Sequence, residues 1–426
     1  MATAMVLLMV ALLLLGFPMM IPLFGAAILA FTVFNPMLTP TILVQQMISG
    51  VQPTSLIAVP MFIFAADIVT KGQVVQRLLD MVMSFVGHVR GGLAITSAVT
   101  CTLFGAVSGS TQAAVVAVGG PLRPRMLKAG YKDDFVMALT INASDIAMLI
   151  PPSIAMIVFG VVSGASIGEM FIAGLGPGVL ILLLFAGYCY IKAKRDGIPV
   201  EPASSWRHRL TAMRHAILPL GFPAIIVGGI YGGIFTPTEA AAVCVIYALV
   251  LEVGIFRSVK LREIPSLALS TGMITAVVFI LVAAGATFSW AISFEQIPQQ
   301  LLSGIGLTEA GRYEILFAIA IAYFIGCMFV DPIVVILVLT PIFAPITQAA
   351  GIDPVLVGII VTLQVAIGSA TPPFGCDIFT AIAVFRRPYF EVIRGTPPFI
   401  LMLLAVAVLL IFVPELALGL RDLAFR

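Results

Sequence analysis

The first charged residue of the chain is Asp67, and long apolar segments recur from there to the C-terminus. A helix that crosses a membrane needs about 20 predominantly apolar residues. The chain is 61% hydrophobic and 10% charged, whereas soluble domains carry about 25% charged residues. The sequence therefore predicts an all-α polytopic membrane protein. Its net charge of +2 and its short basic clusters give no reason to expect nucleic-acid binding.

The apolar segments predict ten membrane spans and two re-entrant hairpins. The hairpins are the tracts 91–127 and 313–348, which Gly, Ser or Pro interrupts near the middle. A basic segment, 192–214, divides the chain. With this segment in the cytoplasm, 19 of the 22 Lys and Arg residues lie on that side, as the positive-inside rule predicts. The predicted spans are 2–16, 18–35, 54–70, 134–160, 167–191, 216–232, 237–256, 267–290, 354–383 and 396–417.

The interruptions recur after a shift of 221 residues. Gly105 then falls on Gly326, and Pro151-Pro152 falls on Pro372-Pro373. Each half holds five predicted spans, an odd number, so the second copy should be inverted relative to the first. Secondary transporters commonly contain such inverted repeats, with the substrate site at their interface near the membrane midplane. The predicted organisation is a first repeat (1–191, broken helix 134–160), a cytoplasmic loop (192–214) and a second repeat (215–426, broken helix 354–383).

The interruptions are also the candidate binding elements. A Pro-Pro pair inside a span removes two backbone donors and unwinds the helix, and freed backbone groups at membrane depth must be satisfied or line a cavity. Carbonyl oxygens, together with the hydroxyls of Ser108 and Ser110, are hard ligands suited to Na⁺. The N-termini of half-helices can bind an anion. One broken element could therefore hold a cation and a carboxylate together.

Four acidic residues fall in or near apolar segments, where a charge is costly. Asp331, at the second interruption, is the strongest candidate to bind a cation or to orient its ligands. Asp145 and Asp377 lie on the spans that carry the Pro-Pro pairs and could serve the site or bond to a neighbouring helix. Glu239 has a structural explanation, because Thr236 and Glu239 fit a capping box.

The sequence gives no indication of an enzyme. It lacks the Ser-His-Asp, Gly-x-Ser-x-Gly, His-Glu-x-x-His and Walker signatures. The five cysteines are scattered without a Cys-x-x-Cys pair, so neither a disulfide framework nor a zinc site is expected. No cofactor is predicted other than Na⁺ as the coupling ion.

Several stretches resemble the large membrane (M) subunit of tripartite ATP-independent periplasmic (TRAP) transporters. They extend over most of the chain and are specific only as a set. The stretches are Phe104–Ala114, Leu149–Gly160, Tyr231–Leu249, Gly326–Pro341 and Ile367–Gly375.

This resemblance implies a permease of the bacterial inner membrane that imports an acidic organic solute, driven by Na⁺. It also implies an elevator mechanism, in which a transport domain holding both hairpins moves against a scaffold in the surrounding lipid. Two partners are expected: a small four-helix membrane subunit and a periplasmic substrate-binding protein. Sialic acid is the first expectation for the solute and a C4-dicarboxylate the second.

The resemblance also indicates site residues. The expected sodium ligands come from both interruptions and both Pro-Pro breaks: Ser108, Gly109, Ser110, Pro151, Ser153, Gly326, Met328, Asp331, Gly368, Thr371 and Pro372. The expected substrate contacts come from the same elements: Ser110, Thr111, Asn142, Asp145, Ser153, Thr371 and Gly375.

Other functions stay open at this point. An autonomous Na⁺/carboxylate symporter of the divalent-anion type would need no binding protein. An intramembrane hydrolase using Asp145, Asp331 or Asp377 is disfavoured because no paired-aspartate motif is present. An ion channel is disfavoured because no charged filter is visible.

Overall fold

The computed structural model of the protein describes residues 2–34, 39–304, 306–307 and 310–425. Within these ranges every regular element is a helix, which confirms the predicted all-α class. The elements before the first hairpin are α1 (Ala2–Leu14), α2 (Met20–Leu29, continued by the π-helical turn Ala30–Phe34), α3 (Thr41–Val51), the 3-10 turn Thr54–Ile57, α4 (Ala58–Lys71) and α5 (Val74–Val86).

The first hairpin and its broken helix come next, followed by the connection to the second half. These elements are α6 (Gly92–Ser108), α7 (Thr111–Lys128), α8 (Asp133–Leu149), α9 (Ile154–Ser163), α10 (Ile167–Ala173), α11 (Leu175–Arg195) and α12 (Trp206–Ala216).

The second half begins with an irregular helix and ends with a second hairpin and broken helix. Its elements are α13 (Gly221–Pro223), the π-helical turn Ala224–Gly228, α14 (Gly229–Tyr231), α15 (Pro237–Leu249, continued by the π-helical segment Val250–Ile255), the 3-10 turn Leu261–Glu263, α16 (Ile264–Phe294), α17 (Ile297–Gly304), α18 (Arg312–Phe329), α19 (Pro332–Ala349), α20 (Pro354–Ser369), α21 (Cys376–Phe385), α22 (Tyr389–Ile393), α23 (Pro397–Phe412) and α24 (Glu415–Ala424).

The helix boundaries repeat with the shift seen in the sequence. Thr111 and Asp133, the first residues of α7 and α8, correspond to Pro332 and Pro354, the first residues of α19 and α20. The Pro-Pro pairs occupy matching positions after α8 and α20, and both of these peptide bonds are cis. The two hairpin-plus-broken-helix units are therefore built alike.

Two groups of helices form the molecule. In the first, α6 and α7 pack on α8, α18 packs on α20, and α8 packs on α20. The broken helices lie at the centre, because Phe135–Leu149 and Val355–Ser369 are buried throughout. In the second group, α2, α3 and α4 pack on α16. We call these four the framework helices; α16 also contacts α19, one arm of the second hairpin.

Three helices begin with the same device, a capping side chain followed by proline. Thr236, Asp331 and Asp353 accept hydrogen bonds from backbone N–H groups at the starts of α15, α19 and α20. Proline suits the next position because its missing N–H has no helical partner there. The capping box of Thr236 and Glu239 is present, which confirms the structural role predicted for Glu239.

Glu252 is a buried acid that sequence analysis did not single out. Its carboxylate accepts the N–H groups of Gln73 at 2.9 Å and Val74 at 3.0 Å, and the Ser258 hydroxyl also donates to it. The start of α5 is thereby attached to the segment that follows α15. A buried carboxylate with this many donors is well satisfied, so its role is structural.

The number of spans differs from the prediction. Within the described ranges, six helical stretches are long and apolar enough to cross a membrane, or nine if each bent pair forms one span. Two of the six, Arg312–Phe329 and Pro332–Ala349, are arms of the second hairpin. The ten predicted spans include shorter helices such as α1, which do not reach the length of a full crossing.

Several local expectations also change. Helix α3 lies in 36–53, where no span was predicted, and α12 lies in the basic segment predicted as a loop. The interruptions are shorter than the sequence suggested, because α6 continues through Gly105 and α18 continues through Gly326. Gly105 instead permits close packing, since a Cβ there would meet Ala147 of α8 at 2.5 Å.

Candidate functional site

A cavity of about 1010 Å³ separates the framework helices from both hairpin tips. Helices α2, α4 and α16 line one side. Residues 108–113 of the first hairpin and 331–334 of the second line the other. Most lining residues are apolar, and the charged ones in the described part of the chain are Asp67 and Asp331. Two tips that are far apart in sequence thus open into one space.

The first tip is a tight connection between α6 and α7. Gly109 has a φ of 61°, a left-handed conformation that favours glycine. Ser110 caps α7, because its hydroxyl oxygen accepts the Ala113 N–H at 3.4 Å. The Ser110 N–H lies 3.5 Å from the Ser108 hydroxyl oxygen. A hydroxyl oxygen has two acceptor positions, so the capping role leaves Ser110 able to bind a cation.

This tip lies directly against the first Pro-Pro break. A Cβ at Gly109 would overlap the carbonyl oxygen of Pro152. Pro151 and Pro152 have no N–H, so they leave two carbonyls of the last turn of α8 without helical donors. Ser153 caps α9 by accepting the Met156 N–H at 3.3 Å. The predicted ligands Ser108, Gly109, Ser110, Pro151 and Ser153 are therefore neighbours in the structure.

The second tip is held by a different set of contacts. Asp331 caps α19 and accepts the Ile333 N–H at 2.9 Å, while it also lines the cavity. The carbonyl of Met328, in the last turn of α18, accepts the Phe374 N–H from the second break at 3.0 Å. The second tip and the second break are thus joined by a backbone hydrogen bond.

Close packing of α18 on α20 completes the second cluster. A Cβ at Gly368 would meet Cys327 of α18, the neighbour of the predicted ligands Gly326 and Met328. The Thr371 hydroxyl donates to the Ile367 carbonyl at 2.6 Å, and Pro372 follows it in the break. The second break spans 370–375, whereas the first spans 150–153, so the two clusters are not copies of each other.

The seven predicted substrate residues divide into two sets. Ser110 and Thr111 line the cavity. The other five are buried and do not line it: Asn142, Asp145, Ser153, Thr371 and Gly375. Thr111 also contacts a buried acid outside this group, because its hydroxyl donates to Asp377 on α21 at 2.7 Å.

Asp67 is a cavity residue that the sequence analysis missed. It lies on framework helix α4 and accepts the hydroxyl of Thr271 on α16 at 2.7 Å. A signal was present, since Asp67 is the first charged residue of the chain and lies inside a predicted span. Nothing in the sequence, however, places it opposite the hairpin tips.

Interrupted hairpins and broken helices around a shared cavity define a polytopic membrane carrier. The chain matches the family described as "Tripartite ATP-independent periplasmic transporter, DctM component" over residues 6–416. It is similar along its whole length to the ectoine/5-hydroxyectoine TRAP transporter large permease of Ruegeria pomeroyi (67% identical, 100% of both chains covered). It is also similar along its whole length to the ectoine TRAP transporter large permease of Halomonas elongata (65% identical, 100% of both chains covered).

More distant relatives have other named solutes. A C4-dicarboxylate TRAP transporter large permease of Pseudomonas aeruginosa is 37% identical over 86% of both chains. A sialic acid TRAP transporter large permease of Vibrio cholerae is 33% identical over 89% of both. Among solved structures, the YdaH transporter of Alcanivorax borkumensis has a TM-score of 0.56 at 16% identity, covering 88% of this chain and 87% of its own. That likeness concerns the fold alone.

The chain therefore belongs to the large permease family of TRAP transporters. It is a multi-pass inner-membrane transport protein and not an enzyme. As one component of a tripartite system, it works with a small membrane subunit and a periplasmic binding protein.

Proposed function

We propose that this protein is the large permease of a Na⁺-driven, binding-protein-dependent importer of ectoine or 5-hydroxyectoine. The solute named for the two relatives of 67% and 65% identity supports this choice over the sialic acid and C4-dicarboxylate expected from the family resemblance. Relatives named for those two solutes share 37% identity or less in the comparisons above.

The charge of the cavity is the observation that carries the proposal. The described residues that line it include two carboxylates, Asp67 and Asp331, and neither Lys nor Arg. An anionic solute would be repelled there unless cations outnumbered the carboxylates. Ectoine is a zwitterion with an amidinium cation and a carboxylate. Its cation can pair with a cavity carboxylate, and its own carboxylate can face bound Na⁺ or a helix N-terminus.

We propose that the coupling ions bind at the two places where a hairpin tip contacts a Pro-Pro break. Ser108, Gly109, Ser110 and the first break would hold one Na⁺. Asp331 and the second break would help to hold another. Ser110 and Thr111 then face both the first ion and the solute, so that the solute binds best when the ion is present.

We propose that the two groups of helices move relative to each other during transport. The hairpins and broken helices pack on one another, and the cavity separates their tips from the framework helices α2, α4 and α16. In an elevator mechanism the first group would carry the solute past the framework. The small membrane subunit would act with the framework.

Uptake of radiolabelled ectoine into proteoliposomes tests the proposal. The permease is reconstituted with its small subunit, and the cognate binding protein is added outside. Uptake should require Na⁺ outside, the small subunit and the binding protein, and excess 5-hydroxyectoine should suppress it. Suppression by succinate or sialic acid instead would reject the proposed solute. Ectoine uptake without a binding protein would favour the autonomous symporter.

A matched pair of variants tests the cavity charge. Asp67→Asn keeps an acceptor for Thr271 but removes the carboxylate charge from the cavity. We expect the Na⁺-dependent affinity for ectoine to fall about tenfold, which corresponds to about 1.4 kcal/mol. Asp80→Asn makes the same change at an exposed position of α5, outside the cavity, and should leave the affinity unchanged. Equal effects of the two variants would contradict a role for the cavity charge.

A further inference from the structure

Asp145 and Asp377 form a buried acidic pair behind the wall of the cavity. Both side chains have no solvent exposure, and neither residue lines the cavity. The helices that carry them, α8 and α21, pack against each other, and the two carboxylates interact electrostatically. One comes from α8 of the first broken helix and the other from α21 of the second. The pair therefore lies where the two repeated units meet.

The hydrogen-bond donors around this pair are too few. Thr111 donates to one oxygen of Asp377 at 2.7 Å. The other oxygen of Asp377 and both oxygens of Asp145 have no partner among the described residues. Two buried carboxylates without compensating positive charge carry a large desolvation penalty, and ionisable side chains within membrane segments are costly as well.

Asn142 is a third buried side chain with an acceptor that has no hydrogen-bond partner among the described residues. Asn142 lies one turn before Asp145 on the same face of α8 and is fully buried. Its amide group donates to the Ala138 carbonyl at 2.8 Å, which turns the amide oxygen toward other partners, and that oxygen has none in the described part of the chain. The unsatisfied atoms of Asn142, Asp145 and Asp377 are thus all acceptors.

Among the described residues, no basic side chain is found to act on Asp145 or Asp377. Cys101 on α6 acts electrostatically on Asp145, and Cys376 and Asp331 act on Asp377. Helix α20, which packs along α8, has no ionisable residue. No ion pair of the described residues includes Asp145 or Asp377. Buried acceptors without donors suit a small cation, and none of these three residues lines the cavity proposed for the organic solute.

We propose that Asp145, Asp377 and Asn142 hold one monovalent cation, Na⁺ or a proton, at a site separate from the two tip-and-break clusters. Because the pair joins the two repeated units, an occupied site holds them together and an empty site leaves two buried charges that repel. Thr111 links this cation to the cavity, since it touches Asp377 and also lines the solute space.

Cation binding to the purified complex of the large and small subunits tests this site. The measurement uses neither ectoine nor the binding protein, so a negative result here would not bear on the proposed solute. The number of bound ²²Na⁺ ions is measured at equilibrium for wild type, Asp145→Asn, Asp377→Asn and the double variant. Asp80→Asn is the matched control and should bind as many as wild type. If the occupant is Na⁺, each variant of the pair should bind one Na⁺ fewer.

The proton is distinguished by infrared spectroscopy of the same samples. If the occupant is a proton, the Na⁺ count stays unchanged, and wild type shows a protonated-carboxyl band that the double variant lacks. An unchanged count together with an unchanged infrared spectrum would overturn the proposal. Asp377→Asn keeps an amide oxygen that can still accept from Thr111, so this variant is expected to fold. If Asp145→Asn and the double variant cannot be purified, the number of bound Na⁺ ions is compared between wild type and Asp377→Asn alone. An unchanged number, together with a wild type that lacks the protonated-carboxyl band, would then overturn the proposal.

Discussion

Gly109 illustrates how one position controls the contact between a hairpin tip and a broken helix. Its positive φ closes the turn between α6 and α7, and its lack of a side chain lets the turn approach the Pro152 carbonyl. The neighbouring hydroxyls of Ser108 and Ser110 are held beside the break as a result. The geometry proposed for the first Na⁺ therefore depends on a missing methyl group.

Gly109→Ala should reduce Na⁺-dependent ectoine uptake at least about tenfold, because the new Cβ overlaps a backbone carbonyl. Gly164→Ala is the matched control. Gly164 also ends a helix with positive φ, at 78°, but nothing lies within 4 Å of its added Cβ. Both variants pay about 1–2 kcal/mol for the left-handed conformation. Uptake and folded yield are measured for both, and equal losses would show that backbone strain, not the contact with the break, is responsible.

The proposed binding positions could be predicted only in part from the sequence. The Gly, Ser and Pro residues of the tips and breaks are recognisable because their chemistry interrupts a helix. The orientation of each hydroxyl is not encoded locally. Thr111 faces Asp377, a residue 266 positions away, and Asp67 faces the tips only because the framework packs across the cavity. Such contacts depend on packing between distant segments.

Ion pairs join the ends of several helices, including the start of the first broken helix. Asp133, the first residue of α8, bonds to Arg123 of α7 through two contacts of 2.7 Å. It also bonds to Arg387, between α21 and α22, at 3.0 Å. One carboxylate therefore connects the first hairpin, the first broken helix and the second unit. Bidentate arginine pairs of this kind are among the stronger polar contacts.

Asp133→Ala should lower the melting temperature of the purified permease complex, with a cost of about 1–3 kcal/mol for the loss of charged hydrogen bonds. Asp196→Ala is the control. Within the described residues, Asp196 forms an ion pair with Lys192, four positions earlier at the end of α11, an arrangement worth about 0.3–0.5 kcal/mol. Thermal unfolding of both variants is compared with wild type. Similar melting temperatures for the two variants would contradict a connecting role for Asp133.

The starts of several helices were easier to predict than the lengths of the membrane crossings. The capped starts at Thr236, Asp331 and Asp353 follow local rules, as do the matching starts of the two hairpins. Local rules do not give the length of each crossing, because apolar composition alone does not distinguish a full span from a short helix such as α1 or a hairpin arm such as α19. Helix α3 was missed because its 11 residues are too few for a membrane crossing and its partner is the distant α16.

The molecule as a whole consists of two similar units joined at their broken helices and a framework across a cavity. The repeat was visible in the sequence because helix-breaking residues share one spacing. The cavity was not, because its walls come from α2, α4, α16 and both hairpin tips. The proposed solute could not be read from the sequence alone, because the motifs identify a family whose members are named for different solutes, and Asp67, one of the two cavity carboxylates, lies outside those motifs.

Side-specific labelling tests whether the cavity opens to each side of the membrane in turn. Val116 lines the cavity on α7 and is 45% exposed. Val116→Cys is combined with Cys376→Ser, which removes the half-buried native thiol; the other four cysteines are buried. Ala203→Cys, on an exposed loop outside the cavity, is the control.

In proteoliposomes, a membrane-impermeant thiol reagent should reach Val116→Cys from either side of the membrane in turn, and ectoine with Na⁺ should slow the labelling. Ala203→Cys should react from one side only and without protection. Labelling of Val116→Cys from one side alone, at a rate that ectoine and Na⁺ leave unchanged, would contradict the claim that this cavity carries the solute.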